Sequence, residues 1–277
     1  MKVFKTEDGA VVAHNEKFYV LTDIDWDAFI NRKSLYQALI QDIKEVDAND
    51  TMPDDAIVET PIGNQEIWAS GVTYMRSKEA RMEESKDAGG GTFYDRVYDA
   101  DRPELFFKAT PARTVGNGGT VRIRKDSTWN VPEPELTLFI SSEATIEGYT
   151  IGNDMSSRSI EGENPLYLPQ AKTYDACAGL GPCIYVPEMP ISSDTLITLE
   201  VFRKNEKVFS GEIPISNMKR KHTELVEFLF RECSFPKGAF LMTGTGIIPP
   251  DDFTLHLEDE IRIHIDHIGT LVNFVGQ

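Results

Sequence analysis

The chain has 277 residues, of which 40% are hydrophobic and 26% charged, a composition typical of a globular protein with a full core. Its formal charge of −17 excludes a general affinity for nucleic acid or anionic membranes. No apolar run is long enough to span a bilayer and the first residues do not form a signal peptide, so we expect a cytoplasmic protein.

The start of the chain predicts a small N-terminal α+β domain. Alternating apolar and polar residues are typical of an antiparallel meander. Asp25 is suited to cap a helix whose apolar stripe runs from Phe29 to Val46. The acidic, proline-containing segment 47–55 then marks a boundary. We therefore expect one domain over residues 1–55 and a larger, catalytic domain over residues 56–277.

A highly charged helix is predicted next, from Met75 to Ala88, and three glycines follow it at positions 89–91. Glycines form a permissive hinge, so this segment is either a plain surface element or a lid over a site. The glycines are not a phosphate-binding loop, because the Gly-Lys-Ser/Thr ending is missing. Further along, Leu105–Thr110 predicts a buried strand that begins at Glu104. Residues 198–208 predict a hairpin that turns near Asn205, and residues 259–274 predict a closing hairpin that turns at Gly269.

Two glutamates, Glu133 and Glu135, lie at the start of another apolar strand. Successive side chains of a strand alternate between faces, so both project from the same face, where they repel each other unless a cation or a proton lies between them. Pro132 and Pro134 cannot donate to a sheet, which indicates an edge or rim. Asp154 follows far enough along the chain for a returning strand to add a third oxygen ligand. Such ligands suit Mg²⁺, Mn²⁺ or Ca²⁺, although a solvated outer face is the alternative interpretation.

The chain resembles the fumarylacetoacetate hydrolase family over roughly residues 61–277. The matching segments, in family order, are Gly71–Tyr74, Pro103–Lys108, Pro132–Leu136, Gly148–Arg158, Gln170–Asp175, Gly179–Pro182, Leu241–Gly246 and Ile268–Leu271. This resemblance implies a β-rich α+β fold with a barrel-like or β-roll catalytic core. It implies Glu133, Glu135 and Asp154 as ligands of a divalent metal, with Mg²⁺ expected first and Mn²⁺ or Ca²⁺ as alternatives. It also implies a homo-oligomer, a dimer or a tetramer.

One departure from the family pattern concerns the catalytic base. The carbon–carbon hydrolases of the family carry a histidine three residues after the tyrosine that corresponds to Tyr74, and this chain has Ser77 there. Serine is not a general base near pH 7, which argues against hydrolysis. Segments 71–77, 102–108 and 243–250 instead resemble the 2-keto-3-deoxy-D-arabinonate dehydratase branch of the family. That resemblance implies Glu104 and Lys172 as the catalytic residues.

The expected reaction is removal of water from a 2-keto-3-deoxy sugar acid, a 2-keto-3-deoxy-D-arabinonate-like pentonate, to give 2,5-dioxopentanoate. A divalent metal would polarise the 2-keto group and stabilise the enolate, which makes the protein a carbon–oxygen lyase. Lys172 and Glu104 supply the acid and the base, in an order that the sequence leaves open. The residues expected to bind the substrate are Thr245, Gly246, Arg76, Ser77, Arg158 and Gln170. Alternatives are an acylpyruvate-type carbon–carbon hydrolase, a 2-keto acid decarboxylase, or a metal-stabilised binding protein without catalysis.

Overall fold

The computed structural model describes residues 1–54, 56–84 and 96–277. The strands are β1 (Lys2–Thr6), β2 (Gly9–His14), β3 (Lys17–Thr22), β4 (Ala48–Asn49), β5 (Glu66–Gly71), β6 (Glu104–Ala109), β7 (Thr114–Val115), β8 (Thr120–Arg122), β9 (Asn130–Val131), β10 (Pro134–Ile140), β11 (Ile146–Asp154), β12 (Ser156–Ser157), β13 (Ala178–Tyr185), β14 (Leu196–Arg203), β15 (Glu206–Pro214), β16 (Ala239–Met242), β17 (Glu260–Ile265) and β18 (Gly269–Gly276). The helices are α1 (Trp26–Ile30), α2 (Leu35–Asp42), α3 (Met75–Glu84), α4 (Arg158–Glu163), α5 (Leu168–Lys172) and α6 (His222–Phe230). Among the residues described, no helix has the length and apolarity needed to cross a membrane.

Two sheets carry most of the structure. The larger has 11 strands in the order β4-β3-β2-β1-β13-β11-β10-β16-β5-β6, with β7 paired to β13. The smaller has five strands in the order β15-β14-β17-β18-β8, and a separate pair joins β9 to β12. The β-rich α+β fold predicted from the sequence is confirmed. In the described residues the core consists of these two sheets, and the larger follows an open path from β4 to β6 and is not a closed barrel.

Alternation along the central strands divides the core between the two faces of the large sheet. Leu136 and Leu138 of β10 belong to a core cluster that includes β14, β17 and α6. Phe139, between Leu138 and Ile140, points the other way into a cluster formed with α1 and α2. Glu135 has the same parity as Phe139, so its carboxylate leaves the sheet on the face opposite Leu136.

The N-terminal meander is confirmed as β1, β2 and β3, and β1 continues the large sheet by pairing with β13. Asp25 caps α1 as predicted, accepting from the Ala28 amide at 2.8 Å. The single helix expected after it is instead two helices. Asn31 ends α1 and bonds the Pro236 carbonyl at 3.1 Å, and Ser34 adopts a φ of 53° before α2. A residue with positive φ does not continue a helix, so the chain turns between Asn31 and Ser34. The domain boundary after residue 55 stays a prediction.

Three other predicted elements have counterparts. The hairpin of β14 and β15 turns at Lys204 and Asn205, both with positive φ, and β17 and β18 form the expected closing hairpin. The charged helix is α3, which spans Met75–Glu84. The end of that predicted helix, at Ala88, and the triple glycine after it lie outside the described residues.

Candidate active site

Three buried carboxylates meet where β10 and β11 adjoin. Glu135 lies in β10, Glu133 directly precedes that strand, and Asp154 ends β11. One carboxylate oxygen of each lies within 4.8 Å of those of the other two. The Asp154 amide donates to the Glu133 carbonyl at 2.9 Å, which continues the ladder past Pro134. The strand pairing therefore brings the three carboxylates together, as the sequence predicted.

The electrostatics of this triad favour a bound cation. Burial raises the pKa of Glu135 well above its usual value, and repulsion from Asp154 and Glu133 raises it further. Lys172 and the Gly244 amide lower this pKa in part, and that amide donates to Glu135 Oε2 at 2.6 Å. Buried carboxylates this close need a proton or a cation between them. An all-oxygen donor set fits Mg²⁺, Mn²⁺ or Ca²⁺ better than zinc.

The loop after β16 supplies the amide that contacts Glu135, and it requires glycine. Gly244 has a φ of +93°, and a Cβ there would lie 2.0 Å from Thr73 Oγ1 and 2.8 Å from the Ser70 carbonyl. Thr73 Oγ1 in turn donates to the Thr243 carbonyl at 2.7 Å. A side chain at position 244 would therefore displace the loop from the carboxylate it binds.

Two buried lysines hold the triad from one side. Lys172 Nζ lies 2.6 Å from Glu133 Oε2 and 3.1 Å from Asp154 Oδ2, and it donates to the Ser156 hydroxyl. Lys108 Nζ lies 2.6 Å from Asp154 Oδ1. Lys108 also donates to the carbonyl of Lys172. Asp154 is thus held between two ammonium groups, one at each oxygen.

Helix α4 adds a second charged pair next to the lysines. Ser157 caps this helix by accepting from the Ile160 amide, and Arg158 and Glu161 lie one turn apart on one face. Arg158 Nη2 donates to Glu133 Oε1 at 2.7 Å, and its Nε lies 3.8 Å from Glu161 Oε2. Glu161 Oε1 lies 3.4 Å from Lys172 Nζ. The site is a compact network of buried, compensating charges.

The triad, Arg158 and Lys172 line one narrow cavity. Its walls are formed by Ser70, Gly71, Val72, Ser77, Phe106, Glu133, Glu135, Asp154, Arg158, Lys172, Gly244, Thr245 and Ile248. Val72 has a φ of 54°, a strained conformation for a β-branched residue that is found mainly at functional sites. All five histidines belong to the described part of the chain, and none of them lines this cavity.

Glu104 lies next to the same cavity, on the neighbouring strand. It begins β6 and pairs with Gly71 of β5, and Ser70 Oγ donates to its carbonyl at 2.9 Å. The Glu104 carboxylate packs against the bare Cα of Gly71, because a Cβ there would lie 1.9 Å from Oε2. Since Gly71 lines the cavity, Glu104 lies directly behind its wall.

The residues predicted to bind substrate divide into two groups. Thr245, Ser77 and Arg158 line the cavity, and Ser77 Oγ donates to the Tyr74 carbonyl at 2.7 Å. Gly246 lies beside the cavity, where its backbone packs against the Tyr74 ring. The other two are directed elsewhere: the Arg76 side chain is 61% exposed and pairs with Glu79, and Gln170 is exposed on α5. The substrate-binding roles stay predictions.

Three site residues were missed by sequence reasoning. Lys108, Ser156 and Glu161 all contact Lys172 or Asp154. A lysine inside an apolar strand is a signal that could have identified Lys108, since an unpaired charge is costly to bury. Ser156 and Glu161 follow Asp154 closely in the sequence, but only the turn into α4 directs them back toward it.

Comparison with known proteins agrees with this geometry. Residues 67–276 match the family described as fumarylacetoacetate (FAA) hydrolase C-terminal. The chain therefore belongs to the fumarylacetoacetate hydrolase family.

Two relatives indicate a particular branch of this family, because both are named as dehydratases. A Haloferax volcanii protein named probable 2-keto-3-deoxyxylonate dehydratase is 48% identical over 229 residues, which cover 80% of this chain and 77% of that protein. The 2-dehydro-3-deoxy-D-arabinonate dehydratase of Saccharolobus solfataricus is 44% identical over 222 residues, covering 79% of this chain and 74% of that protein. A solved 2-keto-3-deoxy-D-arabinonate dehydratase, complexed with magnesium and 2,5-dioxopentanoate, superposes with a TM-score of 0.84 at 35% identity, covering 99% of this chain and 98% of its own.

Proposed function

We propose that this chain is a divalent-metal-dependent dehydratase, a carbon–oxygen lyase that removes water from a 2-keto-3-deoxy pentonate. The observation that carries the proposal is one buried cavity that joins three carboxylates and Lys172 and has serine, not histidine, at position 77. The similarity to dehydratases of 44–48% identity supports the same reaction. Magnesium is the expected metal, because the similar solved dehydratase is complexed with it.

Glu133, Glu135 and Asp154 would hold the metal. When bound, a divalent cation polarises the C2 carbonyl of a 2-keto acid and makes the C3 protons more acidic. The chain then has to move two protons: one leaves C3, and one joins the hydroxyl that departs from C4. Lys172 and Glu104 are proposed for these transfers because Lys172 lines the cavity and the Glu104 carboxylate lies against Gly71, which lines it too.

The atoms balance as the loss of one water. Breaking the C3–H and C4–O bonds leaves a double bond between C3 and C4, and proton shifts then move it to C4 and C5. The double bond at C5 is an enol, which becomes the aldehyde of 2,5-dioxopentanoate. No carbon–carbon bond breaks, so no water has to be activated for attack, and a histidine base is not needed at position 77.

The formal charge of the site suits an anionic substrate. Its buried cations are Lys108, Arg158 and Lys172, and its buried carboxylates are Glu133, Glu135, Asp154 and Glu161. The sum is 3 − 4 = −1 without a metal and +1 with a divalent ion, and an ionised Glu104 beside the cavity would lower each value by one. A bound metal therefore removes the net negative charge that would repel the carboxylate of a sugar acid, although the whole chain carries −17. Arg158 and Thr245 are proposed to contact this carboxylate.

The test is product analysis. The magnesium-loaded protein is incubated with a panel of 2-keto-3-deoxy pentonates and acylpyruvates, and products are followed by mass spectrometry. We expect loss of one water from a pentonate and no cleavage of acylpyruvates. Cleavage of an acylpyruvate into two acids, or release of carbon dioxide from a 2-keto acid, would instead support the hydrolase or the decarboxylase alternative.

We further propose a cytoplasmic homo-oligomer, a dimer or a dimer of dimers. Large apolar side chains that are exposed in the single chain support association, among them Leu166 and Met189, which are 82% and 73% exposed. Light scattering at micromolar protein tests this proposal. A mass near the 31.1 kDa of one chain would contradict it.

A further inference from the structure

We propose that Glu161 is a positioning residue that draws the Lys172 ammonium away from the metal-binding carboxylates and so keeps their oxygens available to the metal. The inference rests on the proposed function, because it takes Glu133, Glu135 and Asp154 as the metal ligands. It assigns to Glu161 no contact with substrate.

Glu161 is buried, with 2% of its surface exposed, in the first turn of α4. Its two oxygens face two different cations: Oε1 lies 3.4 Å from Lys172 Nζ and Oε2 lies 3.8 Å from Arg158 Nε. The carboxylates that converge within 4.8 Å in the described residues are the triad alone. Glu161 therefore lies next to the triad, and its negative charge is paired with Lys172 and Arg158.

Lys172 has the opposite relation to the triad. Its Nζ contacts Glu133 Oε2 at 2.6 Å and Asp154 Oδ2 at 3.1 Å, two oxygens that a metal in the triad would also require. A single ammonium charge and a divalent ion compete for them. Glu161 does not line the cavity that the triad and Lys172 line, so it contacts Nζ from outside that cavity. Its attraction for the ammonium therefore shifts this competition toward the metal.

Neutralising Glu161 removes that attraction. The ammonium then interacts more strongly with Glu133 and Asp154, and the metal binds less tightly. Groups that orient metal ligands without touching the metal typically change affinity by about 10- to 100-fold when they are replaced. We expect about a 10-fold loss of affinity for Mn²⁺ in Glu161→Gln.

The experiment is calorimetric titration of the full-length protein with Mn²⁺, without substrate, at fixed pH and ionic strength. The variants are Glu161→Gln, Glu161→Asp, Lys172→Met, and the double variant that combines Glu161→Gln with Lys172→Met. Circular dichroism verifies that each variant folds. In wild-type background Glu161→Gln should weaken binding about 10-fold, and in the Lys172→Met background the same change should have an effect below about 3-fold.

Glu161→Asp keeps the negative charge but places it farther from Lys172 Nζ, because the side chain is shorter. We therefore expect the affinity for Mn²⁺ to fall only a few fold, and only when Lys172 is present. If Glu161→Gln does not fold, this aspartate variant gives the same comparison. Equal weakening in both backgrounds would overturn the inference, since Glu161 would then act on the metal directly through its charge. Unchanged affinity in both backgrounds would overturn it as well. If wild-type protein binds Mn²⁺ as described but dehydrates no pentonate, the proposed function fails while this inference stands.

Discussion

Replacing Gly71 by alanine tests whether the Glu104 carboxylate must be where the structure has it. The added Cβ would lie 1.9 Å from Glu104 Oε2 and 2.7 Å from its Cδ. Ordinary contacts of a Cβ begin near 3.4 Å, so the carboxylate has to move by about 1.5 Å. The nearest atoms belong to the end of a flexible side chain, and Gly71 lies in β5 without a positive φ, so we expect the fold to remain stable.

Activity should respond far more than stability does. A misplacement of about 1 Å in a catalytic group can reduce the rate about 10²-fold. We therefore expect Gly71→Ala to lower kcat about 10²-fold while Tm changes little and Mn²⁺ affinity stays within a few fold. The assay is the rate of dehydration at saturating magnesium and substrate, together with thermal unfolding and metal titration of the same preparation.

The control separates displacement of Glu104 from obstruction of the cavity. In a Glu104→Ala background there is no carboxylate to displace, so adding Gly71→Ala should change kcat little. A similar reduction in that background would mean that the new methyl group blocks the substrate. A Gly71→Ala enzyme with wild-type kcat would refute the proposed role of Glu104.

Three further predictions follow from the same contacts. Glu135→Gln should abolish activity, because it removes a charged oxygen ligand of the metal. Exhaustive chelation should abolish the activity of wild type in the same way, and full activity after chelation would contradict metal dependence. Lys172→Met should reduce kcat about 10²-fold or more in steady-state assays, the usual size of a lost acid–base contribution, and an unchanged rate would exclude Lys172 from proton transfer. Burial lowers the pKa of His222 from 6.5 to about 4, so as the pH falls the unfolded chain binds a proton before the folded chain does. The stability that the neutral His222 contributes above pH 6.5 is therefore lost as the pH falls toward 4. Between pH 7 and pH 4.5, urea unfolding should show a loss of unfolding free energy that is about 2 kcal/mol smaller in His222→Gln than in wild type. Equal losses in the two proteins would contradict this explanation of the pH dependence.

Local rules were sufficient to predict the triad of carboxylates. Strand alternation put Glu133 and Glu135 on one face, and a returning strand brought Asp154 to them, as β10 and β11 do. Both rules depend on residues close together in the chain. The hairpins near Asn205 and Gly269 were predictable for the same reason, because their turn residues and alternating strands are adjacent in sequence.

Only the tertiary structure decided which charged residues surround that triad. Lys108 comes from β6 and Glu161 from α4, and both meet Asp154 or Lys172 through packing between distant segments. Arg76, predicted to bind substrate, instead lies exposed on α3, because the direction of a helical side chain depends on how the helix is oriented against the sheets. A sequence specifies which face of an element carries a residue, whereas the meeting of faces depends on long-range packing.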